Sequence, residues 1–171
     1  MLKIFVLSNA RSGTAFLTGI FKKNIKDCTS IHEPYFDPFN PTLFGKPIYL
    51  NAIGDDNRIR PYLARKKRCI ERFNTSVYFE ASHAFLKSAN RLAIEYFTNV
   101  KLIHLIRNPL KMAKSAANRE ILTDRYYIPF RNYRADDGKL YFRWSLTGKE
   151  PIFISFNYNQ LTTFQRYVIE W

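Results

Sequence analysis

The chain has 171 residues, 46 % of them hydrophobic, enough to fill the core of one α/β domain and too apolar for an intrinsically disordered segment. Lys and Arg outnumber Asp and Glu by 27 to 14, a net charge of +13. A field of that sign favours anionic partners (nucleic acid, acidic glycans, phosphorylated nucleotides or a membrane surface) without choosing among them. The two cysteines, Cys28 and Cys69, form no C-x-x-C pair, which argues against a disulfide framework or a zinc site, and no run approaches the ~18 apolar residues of a membrane span.

Residues 3–7 are a short apolar run rich in β-formers, the pattern of a buried parallel strand. The run is too short for a signal peptide, so a cytoplasmic location is the default expectation. The loop of residues 8–14 follows, and then Phe16, Leu17, Ile20 and Phe21 recur at helical spacing, completing a strand–loop–helix unit. Residues 29–32 read as a second strand. Residues 34–47 hold four prolines and read as a loop. A charged helix is expected over 60–73, with Leu63, Ile70 and Phe73 on its apolar side. Its basic run, Arg65 to Arg68, resembles a nucleic-acid patch in isolation but fits a solvated helix face.

Residues 76–80 read as a third strand and 85–97 as an amphipathic helix. Residues 100–106 form the clearest strand, continuous and β-branched. Arg107-Asn108-Pro109 ends it and opens a helix through Met112, Ala113, Ala116 and Ala117, proline favouring a first helical turn. Residues 125–143, rich in Tyr, Arg and Asp, read as a loop over the site. A final helix begins near Thr162 or Thr163, either of which can cap it.

Strands alternating with helices define the fold class as α/β, a three-layer sandwich with a central parallel sheet. Ligands of such sheets bind beyond the carboxyl ends of the strands, which singles out residues 8–14, His32 and Glu33, residues 80–83, and Arg107. Aromatic residues make up 16 % of the chain and fit either a well-filled core or a surface on which a base or sugar stacks.

Four groups of residues at these strand ends carry chemistry. In Ser8-Asn9-Ala10-Arg11-Ser12-Gly13-Thr14 the amides at a helix N-terminus attract anions. Gly13 permits close backbone approach, Ser12 and Thr14 add hydroxyls, and Arg11 adds a planar charged fork. The loop is not a Walker A motif, since Ser8 and Thr14 stand where Gly and Lys are required. Arg107 and Ser115 stand eight apart, a strand-end cation and a hydroxyl two turns into a helix that can face one phosphate. His83, just past a strand end, is a candidate general base. Glu33, in His32-Glu33-Pro34, is a second candidate, or a group that orients the imidazole.

Together these segments resemble the sulfotransferase superfamily, whose P-loop-like fold binds the sulfate donor 3′-phosphoadenosine 5′-phosphosulfate (PAPS). ARSGTAFL is similar to the family's 5′-phosphosulfate loop, and RNPLKMAKS matches its 3′-phosphate motif in the Arg-to-Ser spacing. FEASH looks like the strand end that carries the catalytic His of cytosolic members. The HEP segment resembles carbohydrate and bacterial members with a Glu base, and Arg11, in place of the cytosolic Lys, points to that branch. The resemblance implies donor binding by Arg11, Ser12, Gly13, Thr14, Ala15, Arg107 and Ser115, and catalysis by His83, Glu33 and Arg11. It further implies no metal, and a small-molecule or glycan acceptor rather than nucleic acid. It covers residues 1–120. The chain reads as a single domain, 1–171, and is expected to lack the strand that follows the last helix in the family. Two rival readings are a P-loop phosphotransferase and a non-catalytic basic module that binds nucleic acid or acidic glycans.

Overall fold

The computed structural model describes residues 1–34, 40–126, 128 and 130–171. Four strands, β1 (Leu2–Leu7), β2 (Cys28–His32), β3 (Val77–Ala81) and β4 (Val100–His104), form one sheet in the order β2-β3-β1-β4, with every neighbouring pair parallel. Parallel neighbours need crossovers, and the helices supply them. Helix α1 (Thr14–Asn24) joins β1 to β2, and α2 (Lys46–Ala52) with α3 (Asp56–Ile70) joins β2 to β3. Helices α4 (His83–Ser88) and α5 (Ala93–Tyr96) lead to β4, and α6 (Pro109–Arg125) leaves it. A hairpin of β5 (Asn132–Arg134) and β6 (Leu140–Phe142) precedes α7 (Thr163–Glu170).

Alternation along the strands sets the layers. Phe5 and Tyr78 face a cluster with Ile48, Ile59, Leu63 and Phe85 from α2, α3 and α4, and the Phe5 and Phe85 rings stack at 4.4 Å. Val6, Phe79 and Ala81 face the other way, toward Leu17 and Phe21 of α1, and Phe21 stacks on Phe79 at 3.9 Å. The architecture is therefore α/β, a central parallel sheet flanked by helices. Helices α6 and α7 pack on each other through Met112, Ala113, Ala116 and Tyr167. Among the described residues no helix is long and apolar enough to cross a membrane.

Several elements depart from the sequence reading. Phe16 and Ile20, expected on the apolar side of α1, are exposed. Helix α3 starts at Asp56 rather than 60, because the Asp55 side chain caps it by accepting from the Arg58 amide, and it carries Pro61 inside rather than at its start. Phe73 lies past its end. Within the basic run Lys66 is not solvated: it is fully buried, its Nζ 2.7 Å from Glu80 Oε2 and 3.0 Å from Asn40 Oδ1. Three residues after Leu63 and four before Ile70, it falls on the buried face of the helix. The Tyr78 hydroxyl donates to the same carboxylate at 2.5 Å, so the buried charge is fully partnered.

The helix expected over 85–97 is two short ones. The Asn90 amide returns to the Phe85 carbonyl and the Asn90 side chain accepts from the Arg91 amide, a local bond that competes with helix continuation. The expected loop over 125–143 contains the end of α6 and the β5–β6 hairpin; Tyr127 and Pro129 lie outside the described residues. So do residues 35–39 of the proline-rich stretch, whose far end instead opens α2 with Pro47 in its first turn. Thr162 caps α7 through a reciprocal capping box with Gln165.

Candidate functional site

Strand β1 runs out at Leu7, and the chain turns through Arg11 and Gly13, both left-handed at φ 66° and 103°. A left-handed backbone costs a non-glycine residue roughly 1–2 kcal/mol, so Arg11 is held there by its surroundings. At Gly13 an added Cβ would meet nothing within 4 Å; within the protein itself it is the positive φ that calls for glycine. Helix α1 then begins at Thr14 with no side-chain cap and no acidic residue in its first turn. Its leading amides are left with the partial positive charge of a helix N-terminus.

Arg107 and Ser115 both reach this loop. Arg11 Nε donates to Ser115 Oγ at 3.0 Å, and Arg107 Nη1 donates to the Arg11 carbonyl at 2.5 Å. The eight-residue spacing thus brings the two residues together on either side of Arg11. The geometry follows from α6: Asn108 accepts from the Lys111 amide and Pro109 opens the helix, so Ser115 stands two turns along it. The Trp171 indole donates to the Arg107 carbonyl at 3.0 Å, and Asn9 Nδ2 donates to the Glu170 carbonyl at 3.1 Å, tying the end of α7 to the same corner.

Arg11, Gly13, Thr14, Ala15, Glu33, His83 and Arg107 line one cleft of about 560 Å³ at the carboxyl ends of the strands. Ser12 and Ser115, also expected in the site, do not line it; Ser115 bears on it only through Arg11.

Glu33 and His83, alternatives in the sequence reading, form a pair: His83 Nε2 lies 3.2 Å from Glu33 Oε1. Glu33 follows β2 and has φ 41°, with its amide donating to the Ala81 carbonyl of β3. His83 opens α4 and is only 4 % exposed. Burial first, and then the positive charges of Lys87 and His32, push its ionisation well below the usual imidazole range. The imidazole is therefore neutral at pH 7, with its Nε2 beside the Glu33 carboxylate. Its Nδ1 is buried and has no partner among the described residues.

One turn along α4, Lys87 is almost fully buried; its Nζ pairs with Glu170 of α7 and donates to the Trp144 carbonyl at 2.8 Å.

The cleft also contains residues that sequence reasoning missed: Arg119, Trp144 and Tyr167, and His32, which the sequence reading noted without a role. Arg119 had a legible signal, since it follows Ser115 by four residues on the same helix face. Trp144 and Tyr167 had none, because only tertiary folding brings the hairpin and α7 to the strand ends. His32 Nε2 lies 3.0 Å from Thr14 Oγ1. A second cavity, of about 310 Å³, shares Phe142 and Tyr167 with the cleft. Among the described residues no group of three or more His, Cys, Asp or Glu is placed to share a metal ion.

Compared with family models, curated proteins and solved structures, the chain matches none.

Proposed function

We propose that this chain is a PAPS-dependent sulfotransferase of the P-loop-like class, acting on a hydroxyl acceptor that is a carbohydrate or another small molecule. The observation that carries the reading is the convergence, in one cleft beyond a parallel sheet, of an arginine-bearing helix-N-terminal loop and a carboxylate–imidazole pair. The cationic loop supplies what an anionic donor needs, and the pair supplies a proton acceptor.

In this reading the amides of Gly13, Thr14 and Ala15 and the Arg11 guanidinium hold the 5′-phosphosulfate end, where charge develops in the transition state. Arg107 holds the 3′-phosphate, which tells PAPS from ATP, and Ser115 supports that end of the site through its bond to Arg11. The acceptor oxygen bonds to sulfur as the bond from sulfur to the bridging oxygen breaks, leaving 3′-phosphoadenosine 5′-phosphate. The acceptor proton passes to the Glu33–His83 pair. Glu33 is the more exposed partner, its side chain 11 % accessible against 5 % for His83, so the carboxylate takes the proton and the neutral imidazole orients it through Nε2–H. The cavity behind Phe142 and Tyr167 receives the remainder of the acceptor. A cytoplasmic setting belongs to the same proposal, supported by two cysteines that stand as free thiols.

The test is calorimetric titration with 3′-phosphoadenosine 5′-phosphate against ATP with Mg²⁺. Preference for the former is expected. Tighter binding of ATP–Mg²⁺ would move the chain to the phosphotransferases. Binding of arbitrary DNA with a steep salt dependence, and no affinity for either nucleotide, would make it a basic binding module.

A further inference from the structure

The contact between His32 and Thr14 has no part in the reading above. Thr14 is the first residue of α1, lines the cleft, and carries the one hydroxyl of the loop that does so. Its Oγ1 is 3.0 Å from His32 Nε2. The imidazole stands at the end of β2 and is exposed to solvent.

We propose that His32 is a positioning residue that sets the anion affinity of the loop through the Thr14 hydroxyl; this rests on the reading of that loop as the donor's anion site. A hydroxyl has one proton to donate. With His32 neutral and Nε2 bare, Thr14 gives that proton to the imidazole and turns only lone pairs toward an anion. With His32 protonated, Nε2–H donates to Oγ1 instead, and the hydroxyl proton is released to the anion. The same protonation adds a positive charge one residue removed from the anion. Both changes act in one direction: affinity is higher with His32 protonated than with it neutral, and by linkage a bound anion favours the protonated ring.

Among the described residues, several titratable or charged groups lie near His32. Thr14 faces it from α1 and Glu33 adjoins it along the chain; on β3 its register partner is the uncharged Ala81. His83 of α4, whose proton affinity His32 lowers, is the other titrating neighbour, with Lys87 behind it. Arg11 faces the same cleft. Among the described residues, titration of Glu33 or His83 can imitate the effect, and the His32 variant separates its contribution from theirs.

The probe is inorganic sulfate, which remains a dianion from pH 5.5 to 8, titrated into the full chain and followed by NMR of the Thr14 amide and the imidazole resonances. Wild type is expected to bind sulfate about tenfold more tightly at pH 5.5 than at pH 8, the worth of one hydrogen bond to a charged group. His32→Gln, whose amide donates to Oγ1 at every pH, is expected to abolish most of that slope while keeping affinity at pH 8 at or above wild type. Thr14→Val is expected to bind weakly with a shallow slope, and Thr14→Ser to restore wild-type behaviour. If His32→Gln retains the full wild-type slope, the dependence belongs to Glu33 or His83 and the proposal fails while the anion loop stands. A wild type that binds neither sulfate nor 3′-phosphoadenosine 5′-phosphate at any pH overturns the loop reading and this proposal with it.

Discussion

Because His83 is buried and its ionisation is pushed well below the usual range, folding and proton binding oppose each other at this residue. The unfolded chain binds a proton at its histidine near pH 6.5, and the folded protein refuses it until a lower pH. Between those two values the unfolded state holds more protons, so stability is full above about pH 6.5 and falls as pH decreases below it. One group contributes at most about 1.4 kcal/mol per pH unit, hence up to about 2 kcal/mol between pH 6.5 and 5. For a chain of this size that is a fall of roughly 4–8 °C in melting temperature. The perturbation is His83→Gln, which keeps an N–H for Glu33 but does not titrate, and the assay is urea unfolding of both proteins at pH 7.5, 6.5, 5.5 and 5. The difference in stability between them should shrink or reverse toward acid, because only wild type has the neutral imidazole to lose. A difference that is constant across the four pH values would refute the argument and place a charged, solvated imidazole in the folded protein.

Glu33→Gln is expected to lower turnover by about 10²–10⁴-fold with 3′-phosphoadenosine 5′-phosphate affinity nearly intact, as calorimetry and sulfate-transfer assays can establish together; full activity in both this variant and His83→Gln would remove the pair from catalysis. Arg11→Ala should abolish most nucleotide affinity, since it removes the guanidinium and leaves Ser115 and the loop without their link, and unchanged affinity would count against the site. Arg107→Ala should weaken 3′-phosphoadenosine 5′-phosphate far more than adenosine 5′-phosphate, whereas equal losses would make the residue structural, a strut for the Arg11 carbonyl. Lys66→Ala strips one partner from a buried ion pair and should cost about 3–5 kcal/mol of stability in urea; Lys66→Met with Glu80→Leu should recover much of it.

What the sequence determined by itself was local. The apolar run at residues 3–7, the glycine in the loop and the helical spacing after it specified a strand–loop–helix unit, because backbone preference and hydrophobic period act over a few residues. The α/β class followed from repetition of that unit, and the helix starts at Pro109 and near Thr162 or Thr163 were legible for the same reason. Lys66 was misread because a run of four cations dominates a short window, while its helical phase relative to Leu63 and Ile70 is the quantity that decides burial.

Tertiary structure decided the rest of the site. The order β2-β3-β1-β4 sets the end of β2 beside the end of β3, and that adjacency alone makes Glu33 and His83 a pair instead of alternatives. The proton affinity of His83 has a tertiary part as well: its burial depends on neighbours such as Phe44, whose ring centroid lies 4.7 Å from the imidazole, whereas the cation of Lys87, one turn along the same helix, was within reach of the sequence. The approach of α7 to the loop, through Glu170 and Trp171, is likewise set by side chains far apart in the chain. Strand order and helix docking come from burying apolar faces of the whole domain at once, and a sum over non-local contacts has no signature in any short stretch of sequence.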